Sequence, residues 1–363
     1  MTISFACPLS FHLPGGGLRI IVEYANHLAM RGHRMFLIAA HNTLGVDRFA
    51  SPLQHLKRWI WFFLRGVGYG GGYKPHRWIS LHPSVKLLWR PSLHWRWLPD
   101  ADVVIATTWE ASEYVASYPS SKGKKFYFIQ GPEIHLDGVD PKRVEAAWKL
   151  PLTKLVIASW LKDLLASMGE CAHVVSFGVD SPYSPFRLLI PIEARQPTHV
   201  LMLYHTLALK GSQYGLAALY KVKAQVPALT AQLFGVVKPP PNLPSWIHYV
   251  QNPSPTQLCQ LYNDAAIFLA PNLSEGLSLT PIEAMQCGAA VCLTDIAAHR
   301  EYAADNQTAL FAPPQDSEKM AEQVLRLIRN PDERVALAKA AYAHIRTYTW
   351  ARAVETFERI LQS

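Results

Sequence analysis

The chain has 363 residues, of which 50% are hydrophobic and 17% charged, and a net charge of +8. That length suits two domains with separate cores, and the composition excludes a disordered chain. No apolar run approaches the ~18 residues of a membrane span, and five cysteines with no CxxC spacing exclude a zinc module and suit reduced, buried thiols.

The opening MTISFACPLS has no basic leader, so it reads as a strand rather than a secretory signal, and a cytoplasmic protein is expected. After the strand at residues 3–7 comes Pro14-Gly15-Gly16-Gly17. Apolar residues at 18, 21, 22, 25, 28 and 29 then make one helical face, which Gly32 ends. Residues 35–40 form the next strand. This is a βαβ opening, in which the glycines serve either a plain tight turn or close approach of the backbone to a ligand.

Residues 48–99 contain no Asp or Glu but nine cations: Arg48, Lys57, Arg58, Arg65, Lys74, Arg77, Lys86, Arg90 and Arg96. They also hold six of the eleven tryptophans: Trp59, Trp61, Trp78, Trp89, Trp95 and Trp97. Tryptophan with arginine suits the headgroup layer of an anionic membrane. A basic aromatic insert packed on its own domain is the plainer reading. Nucleic acid, which can stack on aromatics between cations, is not the expected partner.

Asp100-Ala101-Asp102 spells D-x-D, yet it precedes the strand 103–106 instead of ending it, so it reads as a strand entry and not a metal site. That strand ends at Thr107-Thr108-Trp109-Glu110. The strand 126–129 ends at Gln130-Gly131-Pro132-Glu133. Ligands of open α/β sheets bind beyond such carboxyl ends, which makes Trp109, Glu110 and Glu133 acceptor candidates or ordinary loop-end residues. A strand at 155–159 and a helix at 161–168 follow. Residues 182–197 hold four prolines and read as a linker. Beyond it come the strand 200–204, Lys210-Gly211 and the helix 214–223, then the strand 231–234 and the helix 256–263.

The most informative stretch is residues 274–293, SEGLSLTPIEAMQCGAAVCL. The strand 266–270 ends at Pro271. Thr280 as N-cap, Pro281 at N1 and Glu283 three residues past the cap predict a capping box, with Gly288 as the left-handed terminator. The loop 272–279 thus enters a helix N-terminus, whose free N–H groups and dipole favour an anion. Glu275 and Glu283 flank that site. Beside a phosphate they would suit sugar and ribose hydroxyls, or one only closes the cap while the other is a solvated loop residue.

The spacing E-x7-E followed by E-A-M-x-x-G-x-x-V resembles the donor site of glycosyltransferase family 4. The resemblance implies an α/β, GT-B type fold of two Rossmann-like domains facing across a cleft. Residues 1–181 would be the acceptor domain with the 48–99 insert, 182–197 the linker, 198–345 the nucleotide-sugar domain, and 346–363 a helix crossing back. It further implies that Glu275 contacts the transferred sugar and Glu283 the ribose, with Gly276, Leu277, Ser278, Leu279 and Thr280 around the donor. Gly16 and Gly17 would face the donor phosphates and acceptor. Ser176-Phe177-Gly178-Val179-Asp180 resembles the N-G-V-D turn of the family.

Three positions depart from the pattern. His205 stands where the family has an Arg that grips the diphosphate with Lys210. Gln130 stands where a His contacts the sugar, and its amide cannot carry a proton near neutral pH. Ser278 stands where many relatives have a second Gly. The function implied is transfer of a sugar, with retention, from a nucleotide-sugar to a lipid-linked or glycan acceptor. Glu275, Lys210 and Gln130 would be at the reaction centre, no metal is expected, and the protein would be peripheral at the inner face of an anionic membrane. The departures also admit a non-catalytic partner subunit with a degenerate donor site. An epimerase on the same fold is the third reading.

Overall fold

A computed structural model describes residues 1–8, 11, 15–42, 57, 60, 62–64, 78, 80–135 and 138–363. The chain forms two compact units, Met1–Phe177 with Trp350–Ser363, and Gly178–Thr349. Each is built on one parallel sheet.

In the first unit, strands β1 (Thr2–Cys7), β2 (Arg34–Asn42), β3 (Lys86–Ser92), β4 (Val103–Ala106), β5 (Lys124–Ile129), β6 (Thr153–Val156) and β7 (Ala172–Val174) lie in the order β3-β2-β1-β4-β5-β6-β7. Strand β1 pairs in parallel with both β2 and β4, so the winding reverses between β1 and β4. Strand β4 is buried along its whole length, as a sheet covered on both faces requires. The helix Trp350–Gln362 packs here through Phe357, whose ring centroid lies 4.4 Å from that of Tyr24 and 6.3 Å from that of Phe5. Trp350 meets Tyr24 edge-on at 5.2 Å.

Strand β3 lies inside the tract read as a basic insert. The end of that tract is therefore part of the sheet. Arg90 Nε donates to Trp97 O at 2.8 Å, the Tyr118 hydroxyl to Leu93 O, and the buried Lys122 to Leu98 O at 2.7 Å. Arg48, Arg58, Trp59, Trp61, Arg65, Lys74 and Arg77 lie outside the described residues. The D-x-D is a strand entry: Asp102 accepts from Thr2 N at 2.7 Å, and Asp100 pairs with Lys122 at 2.7 Å.

In the second unit, β8 (His199–Leu203), β9 (Thr230–Gly235), β10 (Ile247–Gln251), β11 (Ile267–Ala270), β12 (Ala290–Thr294) and β13 (Leu310–Ala312) lie in the order β10-β9-β8-β11-β12-β13. The winding reverses between β8 and β11. Residues 182–197, expected as a linker, belong to this unit. Arg195 explains why: its buried guanidinium donates to the carbonyls of Tyr262 at 3.2 Å, Ala265 at 3.0 Å, Ile190 at 3.1 Å and Cys287. It thereby caps the C-terminal ends of the helices Pro255–Asp264 and Leu279–Gln286 together, satisfying carbonyls those helices leave unpaired. All five cysteines are free thiols. Four are buried as expected, and Cys171 is exposed.

Candidate donor site

The reversal point of the second sheet builds the site. Past β8, the chain turns through His205 to Lys210; past β11, it runs from Asn272 to Ser278. The two loops are locked together. Leu273 N donates to Leu209 O at 2.7 Å. Gly211 has φ +63, and a Cβ there would stand 1.9 Å from Pro271 O, so only glycine fits.

That lock brings Lys210 to Glu275. Their side chains form an ion pair through Glu275 Oε1, to which Asn272 Nδ2 also donates at 2.6 Å. Both members are partly exposed, at 26% and 16%, so each can exchange its partner for a ligand. His205 accepts from Leu207 N at 3.0 Å on Nδ1, which puts the neutral ring's proton on Nε2. Burial, with Lys210 nearby, lowers its pKa. This position therefore offers one neutral donor where an arginine would add a charge.

The helix runs Leu279–Gln286 and begins one residue before the predicted cap. Its N-cap is Ser278, in the left-handed region at φ 58 and ψ 82, with no side-chain cap bond. The predicted capping box of Thr280 and Glu283 is thus corrected: Thr280 lies within the first turn. Glu283 is buried and accepts from the Tyr262 hydroxyl at 2.8 Å. Gly276 and Leu277 are buried, and Leu279 and Thr280 are half-buried. Gly288 ends the helix at φ +85 as expected.

In the first unit the glycine run is not a free loop. Gly15 is the N-cap, and Gly16 and Gly17 are the first residues of the helix Gly16–Met30. The Gln130 amide packs against Gly17, where an added Cβ would meet it at 3.4 Å. Gln130 Oε1 is buried and has no hydrogen-bond partner among the described residues.

Of the acceptor candidates, Glu133 is committed to the fold. It accepts from Trp109 N at 3.1 Å and from the Tyr127 hydroxyl, closing the N-terminus of the helix Trp109–Ala116. Burial pushes its carboxyl up to about 7, against the pull of those two bonds. Glu110 also lies above the usual range because of burial, eased by Thr108, and its one hydroxyl contact to Thr108 is 3.5 Å long. Trp109 is buried beneath the Arg143 guanidinium, 4.8 Å from its ring centroid, and Glu113 holds that guanidinium at 2.8 and 2.7 Å. Sequence reasoning missed all three partners: Asn272 and Tyr127 lie within six residues of Glu275 and Glu133, whereas Tyr262 reaches Glu283 from another helix, which no local spacing signals.

Two parallel α/β units define the class: the structural neighbours are GT-B glycosyltransferases, and residues 242–344 match the family model "Glycosyl transferases group 1". Over its whole length the chain is similar to the phosphatidyl-myo-inositol mannosyltransferase of Mycolicibacterium smegmatis, at 22% identity over 97% of this chain and 91% of that one. Its likeness to the D-inositol 3-phosphate glycosyltransferase of Corynebacterium urealyticum is 24%, over 32% of this chain but only 28% of that protein's length. The structure of Anabaena HepE in complex with UDP and glucose superposes with a TM-score of 0.71 at 15% identity, covering 100% of this chain and 99% of that one.

Proposed function

We propose that the protein is a retaining glycosyltransferase of the family 4 type, moving a sugar from a nucleotide-sugar to an acceptor hydroxyl. The observation that carries this reading is the Lys210–Glu275 pair beside the start of the helix Leu279–Gln286, at the reversal point of the second sheet. A diphosphate arriving there takes Lys210 as counter-ion and meets the N–H groups at the helix start. Glu275, released from Lys210, receives a sugar hydroxyl, and Glu283 a ribose hydroxyl. The same fixed cation and dipole stabilise the leaving diphosphate as its charge grows. Since Lys210 and the helix start supply this charge, transfer is expected to proceed without a metal and to survive EDTA.

The first unit would receive the acceptor. Glu110 is the carboxylate there with bonding capacity to spare, and Gln130 offers a neutral amide beside Gly17. The mannosyltransferase relative, named for phosphatidyl-myo-inositol, supports an acceptor carried on a lipid. The exposed Ile60, Phe63, Leu64 and Trp97, with the basic tract, support a peripheral seat on an anionic membrane at the cytoplasmic face. No helix among the described residues is long and apolar enough to cross one.

The test is transfer by the purified protein. A panel of nucleotide-sugars, screened first by thermal shift, should yield one donor that stabilises the protein and loses its sugar to a lipid-linked acceptor. Product anomers are then read by NMR. No stabilisation by any nucleotide-sugar, with no transfer, overturns the reading.

A further inference from the structure

A polar layer runs on from Glu275 through Asn272, which donates to it, to Thr294, which donates to Asn272 O. Asn272, Thr294, Ser278, His299 and Tyr302 are all buried, the last two at 0% and 1% exposure. Three of their polar atoms, Ser278 Oγ, His299 Nε2 and Tyr302 Oη, have no hydrogen-bond partner among the described residues. Buried polar atoms in native folds are paired with protein or with ordered water.

These three belong together. The His299 and Tyr302 rings meet edge-on at 6.2 Å. The Ser278 side chain stands close enough to the Tyr302 hydroxyl to pull its pKa down against the burial that raises it, and the Glu275 charge pushes up the pKa of both Tyr302 and His299. Ser278 adopts a left-handed backbone that a glycine would hold without strain, and it carries its hydroxyl inward instead.

The donor inventory is complementary. His299 Nδ1 donates to Thr294 O at 2.7 Å, so Nε2 is a bare acceptor. Tyr302 and Ser278 can each donate. One water molecule among them would accept from both hydroxyls and donate to His299, leaving a second hydrogen. Lys210 and Asn272 both take Oε1 of Glu275, so Oε2 would be the atom to receive that hydrogen.

We propose that Tyr302 is a positioning residue for Glu275, acting with Ser278 and His299 around one buried water. This rests on the reading of Glu275 as the sugar-facing carboxylate. The water would hold the carboxylate plane while Lys210 leaves it for the diphosphate.

A double-mutant cycle tests it. Tyr302→Phe should lower kcat about tenfold while the donor KM stays within about twofold, and in a Glu275→Gln background the further loss should fall below about twofold. A purely structural role would lower activity alike in both backgrounds, and that result overturns the proposal. Should Tyr302→Phe melt more than about 5 °C lower, Ser278→Gly, which relieves the left-handed strain, takes its place in the cycle. A crystal structure should show a water within hydrogen-bond distance of all three atoms in the wild type and lost in Tyr302→Phe. Direct contact among the three atoms with no water overturns the proposal. If the wild type transfers no sugar, the function reading fails, and the crystallographic result still decides the water site.

Discussion

Lys210 and Glu275, 65 positions apart, neutralise each other where the two loops of the second sheet's reversal point meet. A partly exposed pair of this kind contributes on the order of 1 kcal/mol to stability. Lys210→Met should leave the melting temperature nearly unchanged yet weaken nucleoside diphosphate binding by about tenfold or more, the scale of one charge-assisted hydrogen bond. Calorimetric titration with the diphosphate measures it. Unchanged affinity would remove Lys210 from the site.

His205 leads to the opposite expectation, a gain. Burial and the neighbouring Lys210 keep its ring neutral around pH 7. His205→Arg supplies a permanent charge and a planar fork, and should tighten diphosphate binding about fivefold to tenfold. The ratio of wild-type to Arg-variant affinity should also rise as the pH falls toward the lowered pKa, the titration of the diphosphate itself being common to both. Titrations at pH 5.5 and 7.5 compare the two, and a loss of affinity in the Arg variant would show that the imidazole itself is needed.

Glu133 makes stability depend on pH. Its folded pKa, near 7, lies above the ordinary 4.5 because of burial. The folded state therefore holds the proton more tightly, and this contribution is full below pH 4.5 and lost as the pH rises through 7. The loss amounts to up to about 3 kcal/mol. Glu133→Gln cannot titrate, so its stability relative to wild type should improve between pH 5 and pH 8. Urea midpoints at the two pH values decide it, and a parallel response would mean that Glu133 ionises as an ordinary carboxylate.

Membrane attachment should split into two parts. Ile60, Phe63 and Leu64 are 49%, 61% and 58% exposed, and the exposed Lys57 accompanies them. Phe62 stacks on Trp89 of β3 at 5.8 Å and so ties this segment to the sheet. Each cation near an anionic surface adds roughly 1 kcal/mol, which salt screens. Changing Lys57, Arg58 and Arg65 together to Gln should abolish flotation with anionic liposomes at low salt. Phe63→Ser with Leu64→Ser should abolish what survives at high salt. Equal binding to neutral and anionic vesicles, or none to either, leaves the tract as a packed part of its domain.

The sequence by itself determined the elements that local chemistry specifies. Short apolar runs gave the buried strands, the period of 3.6 gave the helix after the glycines, and Gly288 gave a helix end, because each depends on neighbours within a few residues. E-x7-E likewise put Glu275 in the loop before one helix and Glu283 within it. The tertiary structure decided what those residues touch. Ser278, not Thr280, caps that helix, with its backbone in the left-handed region. Glu283 turns to Tyr262 instead of to its own helix cap. Glu133 serves the Trp109 backbone, and residues 182–197 follow Arg195 into the second unit. In every case the partner lies on another element of the same unit, and sheet order, which no local pattern encodes, sets the distance between them.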